Sequence, residues 1–189
     1  MKRQIFAGVA AAALALGGCA TTMDGDMDDV AYVDGAAMYA NKNIVENAMN
    51  SPIHTTLVAA VKQAQLVDTL SGAGPFTVFA PTDEAFARVP ASMRSSLMMD
   101  SNRPMLQKVL TYHVVPGRVT AADLMQRISA NGGTAMVTTV QGEQLTFSMR
   151  DGNVMIMGKN GSSASVTQAD VMQSNGVIHV VNGVLTPSM

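Results

Sequence analysis

The sequence predicts a mixed α/β domain of the α+β type, in which helices fill much of the first half and strands fill the second. Of the 189 residues, 48% are hydrophobic and only 14% are charged, a composition that supports a buried core. Apolar residues recur at three- and four-residue spacing in the first half, as amphipathic helices require. Apolar and polar residues alternate in the second half, which is typical of half-buried strands.

The first eighteen residues have the layout of a secretory signal. A basic start precedes an uncharged apolar run from Ile5 to Leu16, which is too short to span a bilayer as a helix. The tetrapeptide that ends this run, Leu16-Gly17-Gly18-Cys19, resembles the lipobox of bacterial lipoproteins. Cys19 is the only cysteine. We therefore expect residues 1–18 to be a signal peptide and Cys19 to carry a membrane-anchoring lipid. Because Ala20 follows instead of aspartate, the resemblance favours the outer membrane of a bacterial cell envelope.

Residues 19–41 are predicted to form the lipidated N-terminus and an acidic, flexible tether. Five aspartates and no basic residue fall between residues 20 and 40, without helical or strand periodicity. Self-repelling charge of this kind favours an extended chain. An aspartate-rich calcium loop is the functional alternative, but the downstream glutamate and the matching glycine of such loops are missing. The predicted folded domain therefore covers residues 42–189.

Two helices, a strand and a helix cap are expected before residue 115. Residues 55–64 carry apolar side chains at helical spacing. Residues 106–110 show the same spacing, and this helix is expected to end near Tyr112. Between the two, residues 76–80 alternate like a strand, and Thr82 is placed to cap a short helix after it.

A first hairpin is predicted around Asp151-Gly152, a two-residue turn that strands commonly use. Closing this turn would place Met149 opposite Val154. It would also place Phe147 opposite Ile156, so the apolar partners share one face of the sheet.

A second tight turn is predicted at Asn160-Gly161. It would pair Met157 with Ala164 and Met155 with Val166, on the face opposite to the first hairpin's partners. The middle strand would then be apolar on both sides. The face carrying Met155, Met157 and Val166 is therefore a candidate surface for an apolar ligand or a partner.

Three segments of the chain resemble the fasciclin domain, an extracellular adhesion module. They read GPFTVFAPTDEAF at 74–86, YHVV at 112–115 and NGVIHVVNGVLTP at 175–187. The resemblance extends from about Asn43 to the C-terminus. It implies a wedge of two small β-sheets with several helices packed on one side, and it implies no catalytic centre.

What the resemblance implies about function is adhesion. Family members are secreted or membrane-anchored and act in cell adhesion, matrix contact or surface recognition. We therefore expect a non-catalytic, lipid-anchored envelope protein whose partner, besides the membrane, is a protein or polysaccharide surface. The alternative is a binding protein for an apolar small ligand, because some relatives bind carotenoids.

The tyrosine–histidine pair is the most specific candidate for contact with a partner. In animal relatives this segment has been linked to receptor binding, so Tyr112, His113 and Val114 are candidate partner-binding residues. The alternative is structural, because an imidazole can bridge buried backbone groups and a tyrosine hydroxyl can be held in place. His179 lies between β-branched residues and is expected to be buried, whereas His54 is expected to be solvated at a helix end.

No catalytic site, metal site, cofactor or nucleic-acid partner is predicted. The three histidines lie about sixty residues apart and only one thiol is present, which makes a poor zinc site. The sixteen methionines could suggest copper, but their spacing suits filling of the core or the surface. A net charge of −2 with no tryptophan argues against nucleic-acid binding. Neither a nucleophile elbow nor a phosphate-binding loop occurs.

Overall fold

The computed structural model describes residues 30–188, so the predicted signal peptide and Cys19 lie outside the described residues. Helices predominate up to Ala130 and strands from there to Val181, which is the predicted α+β order. In chain order the elements are β1 (Val30–Val33), β2 (Ala36–Tyr39), α1 (Ile44–Asn50), α2 (Thr55–Gln63), α3 (Val67–Ser71), β3 (Phe76–Pro81), α4 (Asp83–Ala87), α5 (Ala91–Leu97), a 3₁₀ turn (Asp100–Asn102), α6 (Arg103–Tyr112), β4 (Val114–Pro116), α7 (Ala121–Ala130), β5 (Thr134–Thr138), β6 (Gln144–Arg150), β7 (Asn153–Met157), β8 (Ser163–Gln173) and β9 (Gly176–Val181).

The helices and caps expected in the first half are confirmed. The predicted helix over 55–64 is α2, and α6 ends at Tyr112 as its apolar spacing indicated. The predicted strand over 76–80 is β3. Thr82 caps α4, because its hydroxyl oxygen accepts a hydrogen bond from the amide of Ala85 at 3.2 Å.

Seven strands form one continuous ladder in the order β4-β3-β9-β8-β7-β6-β5. β3 and β9 run parallel, and the other neighbouring pairs are antiparallel. The register of β8 shifts twice between Val166 and Val171; residues 163–165 pair with β7, and those from Val166 onward pair with β9. Such bulges bend a strand. We call β4, β3, β9 and the second part of β8 the first sheet, and the first part of β8 with β7, β6 and β5 the second sheet.

The first sheet is buried on both faces, and this explains the layers of the molecule. Val78 and Ile178 pack among apolar residues of α1, α2 and α6 on one face. Phe79 and Val181 pack on the other face against the second sheet and α7, which contribute Phe147 and other fully buried side chains. The predicted fold of two sheets with packed helices is confirmed, with α1, α2 and α6 on one side and α7 against the core between the sheets.

The first predicted hairpin is confirmed and the second has the wrong register. Met149 pairs with Val154 and Phe147 with Ile156, as expected. At the second turn Met157 lies opposite Ser163. The reason is the loop, since residues 158–162 separate the strands and a turn of odd length shifts the pairing by one residue.

The predicted tether is corrected over residues 30–39, which form the hairpin β1–β2. Asp34 and Gly35 both have positive φ, +47° and +80°, as a type I′ turn requires. Val33 and Met38 are each 1% exposed and belong to the core beneath the helices. The burial of apolar side chains from these two strands therefore stabilises the hairpin despite the single aspartate in its turn. The folded domain includes residues before 42.

Within residues 30–188, none of the helices combines the length and the apolar character that crossing a bilayer requires.

Candidate functional site

Tyr112 links α6 to the second sheet and is fully buried. Its hydroxyl oxygen accepts a hydrogen bond from the amide of Lys159 at 2.8 Å. The hydroxyl also donates to the carbonyl oxygen of Gln144 at 3.2 Å. Burial raises the pKa of Tyr112, the Lys159 amide opposes this shift, and nearby Glu143 adds to it. The neutral phenol therefore joins the end of α6 to the turn between β7 and β8.

His113 bridges two backbone groups that are far apart in sequence. Its Nδ1 lies 2.8 Å from the carbonyl oxygen of Val109, and its Nε2 accepts a hydrogen bond from the amide of Leu185 at 2.9 Å. Since Nδ1 must donate and Nε2 must accept, this geometry fits one neutral tautomer. Burial lowers the pKa of His113 to about 4, and the Val109 carbonyl offsets part of that shift.

The three residues singled out for partner contact are therefore interior residues. Tyr112 is 0% exposed, His113 3% and Val114 4%. Val114 pairs with Val78 in the first sheet. This arrangement matches the structural alternative, because each polar group of the pair holds a backbone partner and none faces solvent. Direct contact with another molecule would require this part of the domain to open.

His179 is buried, as predicted. Its Nε2 lies 2.8 Å from the carbonyl oxygen of Val119, and its Nδ1 accepts a hydrogen bond from the amide of Asp170 at 3.2 Å. Its ring stacks on Phe79 with centroids 5.4 Å apart. Burial lowers the pKa of His179, partly offset by the Val119 carbonyl and the Asp170 charge.

His54 is buried, and the expectation of a solvated helix end is wrong. The side chain is 1% exposed, with Nδ1 2.7 Å from the hydroxyl oxygen of Ser51. Burial lowers the pKa of His54, against the opposing effects of the Ala80 backbone and the Asp83 charge. Its Nε2 has no hydrogen-bond partner among the described residues.

Asp83 explains why His54 can turn inward. Its carboxylate accepts hydrogen bonds from the amides of Thr55 and Thr56 at 3.2 and 2.7 Å, and so caps α2 from the start of α4. Burial alone would raise the pKa of Asp83, but the hydrogen bonds from the two threonines hold it below its ordinary value. The contact joins residues 27 and 28 positions apart, and no local sequence signal could have identified it.

Met155, Met157 and Val166 do not share a face. Met155 pairs with Ser165 and Met157 with Ser163, on the side of the second sheet that faces away from the core. Val166 is only 8% exposed and packs in the core between the sheets. The apolar ligand face predicted from these residues is therefore divided by the strand, and this follows from the one-residue error in register.

The outer face of the second sheet is uncharged across its centre. One row of neighbours reads Met136, Thr146, Met157 and Ser163, and the adjacent row reads Thr134, Ser148, Met155 and Ser165. Met136 is 66% exposed and Met157 43%. Among residues 30–188, no helix or strand packs over this face. It is a broad, flat surface of hydroxyl groups and thioethers.

Two of the cavities are small and apolar, and others are larger, open and lined by both polar and apolar residues. The apolar cavities beneath α2 and α5 have volumes of about 30 and 40 Å³. A drug-sized ligand needs roughly 300 Å³ or more, so neither fits a carotenoid- or lipid-like molecule. An open cleft of about 460 Å³ lies between the β1–β2 turn and the start of α4 and includes the side chains of Asp34, Asp83 and Glu84. Among the described residues, no group of histidine, aspartate or glutamate could hold a metal ion.

Comparison with known proteins identifies one family model and several relatives that match this chain. The family model described as Fasciclin domain matches residues 52–187. The chain is 46% identical to Protein sll1483 of Synechocystis sp. over 159 residues, which cover 84% of this chain and 81% of that protein. It is 35% identical to Immunogenic protein MPB70 of Mycobacterium bovis over 145 residues, covering 74% and 66% of the two chains.

A solved structure has a similar fold. The domain pair of the insect cell adhesion molecule Fasciclin I superimposes with a TM-score of 0.68 at 21% sequence identity. The superposition covers 76% of this chain, which spans about half the length of that structure. The two share the arrangement of helices and sheets.

Proposed function

Because this chain belongs to the fasciclin-domain family, we propose that it is a non-catalytic surface-interaction module that mediates adhesion to a protein or polysaccharide partner. The similar insect structure comes from a cell adhesion molecule, which supports the adhesion role. The buried histidines also fit a non-catalytic role, since the ring nitrogens of His113 and His179 are engaged by backbone groups and are not free for acid–base chemistry.

The proposal includes a lipid anchor on Cys19 and a location in the outer membrane of the bacterial envelope. The support is the lipobox-like step that ends at Cys19, which follows an apolar run of signal-peptide length. Several acyl chains on one residue would hold the domain at the membrane and leave its surface free for contact with a partner.

One observation carries the adhesion proposal, namely the uncovered outer face of the second sheet. The inner face of this sheet is closed by the core, while the outer face exposes Met136 and Met157 among hydroxyl side chains. A flat face with hydroxyl groups and flexible thioethers can donate and accept hydrogen bonds and also pack against apolar surface. These properties suit a protein or polysaccharide surface better than a small apolar ligand.

The experiment places a charge at the centre of this face. We expect the double variant Met136→Lys with Met157→Lys to reduce cell adhesion at least about tenfold, because burying an unpaired ammonium group in a contact costs several kcal/mol. Adhesion is measured with bacteria that lack their own copy and carry either variant or wild type at equal surface abundance.

The control is Gln126→Lys, which adds one lysine at an exposed position of α7 away from this face. The control should adhere like wild type. Equal adhesion of wild type and the double variant would exclude the outer face as the contact surface.

A further inference from the structure

The methionines within residues 30–188 are concentrated on the surface. The structure describes twelve of the sixteen; ten of these are exposed, Met155 is half-buried and only Met38 lies in the core. Methionine is ordinarily among the residue types most often buried. In residues 30–188, by contrast, leucine, isoleucine and phenylalanine have no exposed member. Leucine and methionine have similar volumes and exchange at little cost in packing, so similarity in size does not account for this division.

One group of exposed methionines lies where α5 meets α6. Met93 and Met105 line an open cleft of about 400 Å³ together with serine and asparagine side chains. Met98 and Met99 follow directly after α5, and Met99 is 55% exposed. No residue of α5 is buried, and the thioether of its one methionine, Met93, is accessible to solvent.

A second group lies on the outer face of the second sheet. Met136 and Met157 flank Thr146 in one row, and Ser163 follows at the end of that row. Oxidation of a thioether creates a sulfoxide oxygen, which is a strong hydrogen-bond acceptor. Hydroxyl groups are donors, so a sulfoxide formed here has potential partners on the neighbouring strands.

We propose that the exposed methionines form an oxidant-accepting surface, which consumes hypochlorous acid and is converted to methionine sulfoxide while the domain stays folded. In each reaction one oxygen atom is transferred to the thioether sulfur, which loses two electrons. The chlorine leaves as chloride, and the proton goes to water. This inference concerns a chemical activity and does not depend on the adhesion proposal.

The composition of the core explains why the fold would survive. Oxidation of a buried methionine inserts a polar group and disrupts packing. Apart from Met38, the cores beneath the helices and between the sheets consist of valine, leucine, isoleucine, alanine, phenylalanine and tyrosine, whose packing does not depend on a thioether. Met38 is 1% exposed and therefore shielded from a solvent oxidant.

The experiment titrates the purified, full-length mature protein with hypochlorous acid and follows oxidation of each methionine by peptide mass spectrometry. We expect the ten exposed methionines to gain one oxygen each before Met38 reacts. Thermal denaturation recorded at the same doses should still show one cooperative transition. A variant with Met99, Met105, Met136 and Met157 replaced by leucine should consume four equivalents fewer.

The matched control is Leu145→Met, which adds a thioether at a position that is 0% exposed. The folded control should consume no more oxidant than wild type. Three results would overturn the proposal: oxidation of Met38 alongside Met136, loss of the cooperative transition before the surface methionines are exhausted, or equal consumption by wild type and the leucine variant.

Discussion

Burial lowers the pKa of three histidine side chains, all of which lie inside the fold: His54, His113 and His179. His113 shows the consequence most clearly. Its ring holds the amide of Leu185 and the carbonyl of Val109, so it connects the C-terminal segment to α6. A charged ring could no longer accept the Leu185 hydrogen bond. The residue therefore works as a structural bridge as long as it is neutral.

This leads to a prediction about pH. The folded pKa of His113 is about 4 against an ordinary value of 6.5, so the unfolded chain binds the proton first as pH falls. The stabilisation is complete above pH 6.5 and is lost as pH falls toward 4. We expect the free energy of unfolding to drop by about 2 kcal/mol between pH 6.5 and roughly pH 5, above the titration range of ordinary carboxylates. Urea denaturation at the two pH values measures the change.

The control for this prediction is His113→Gln, which removes the titrating group. The variant should be less stable than wild type near neutral pH and should lose less stability on acidification. A free energy of unfolding that is equal at both pH values in wild type would contradict the assigned role of the neutral imidazole.

At the scale of elements, the free backbone amides at helix N-termini donate hydrogen bonds to side chains from other elements as well as to local caps. α1 has its own capping box, formed by Asn43 and Glu46. α2 has no side-chain cap at its own N-cap residue, His54, and takes the Asp83 carboxylate instead. Because Asp83 also lies in the first turn of α4, one carboxylate connects two helices. The contact stabilises their relative position as well as the free amides of α2.

The prediction at this scale concerns Asp83→Ala. We expect the substitution to lower the free energy of unfolding by about 1–2 kcal/mol, the range found for loss of a helix cap. Glu84→Ala is the matched control, since Glu84 is an exposed neighbour in the same turn and should cost about 0.5 kcal/mol or less. Chemical denaturation at neutral pH compares the two. Equal losses would mean that the Asp83 cap contributes no more than a surface charge.

At the scale of the whole molecule, the domain is a layered body whose first sheet is buried on both faces. The second sheet covers one of these faces, and no helix or strand within residues 30–188 packs over its outer face. That outer face is where both the proposed adhesion surface and part of the methionine surface lie. The hairpin β1–β2 packs on the helix-side core through Val33 and Met38.

The prediction at this scale is that Cys19→Ser abolishes membrane association and leaves the fold unchanged. Cys19 precedes the described domain, and residues 30–188 form two buried cores among themselves. Fractionation of cells followed by thermal denaturation of the released protein tests both parts. Recovery of the variant in the membrane fraction would contradict the lipid anchor.

Features that depend on near neighbours in the chain could be predicted from the sequence. The helical spacing before Tyr112, the cap at Thr82 and the register around Asp151-Gly152 are of this kind, because a few adjacent residues set the backbone geometry. The segments that resemble the fasciclin domain extended this to the presence of two sheets with packed helices. Two local predictions were wrong. The loop after Met157 is longer than a two-residue turn, and residues 30–39 form a hairpin around Asp34-Gly35 where a tether was predicted.

Features that depend on contacts between segments distant in sequence were decided by the tertiary structure alone. His54 is buried because Asp83 takes over the cap of α2, and Val166 faces the core because of a register set by the whole loop before it. The exposure of the methionines belongs here too, since their spacing along the chain was compatible with core or surface. Periodicity specifies which residues share a face, and only packing specifies whether that face is covered.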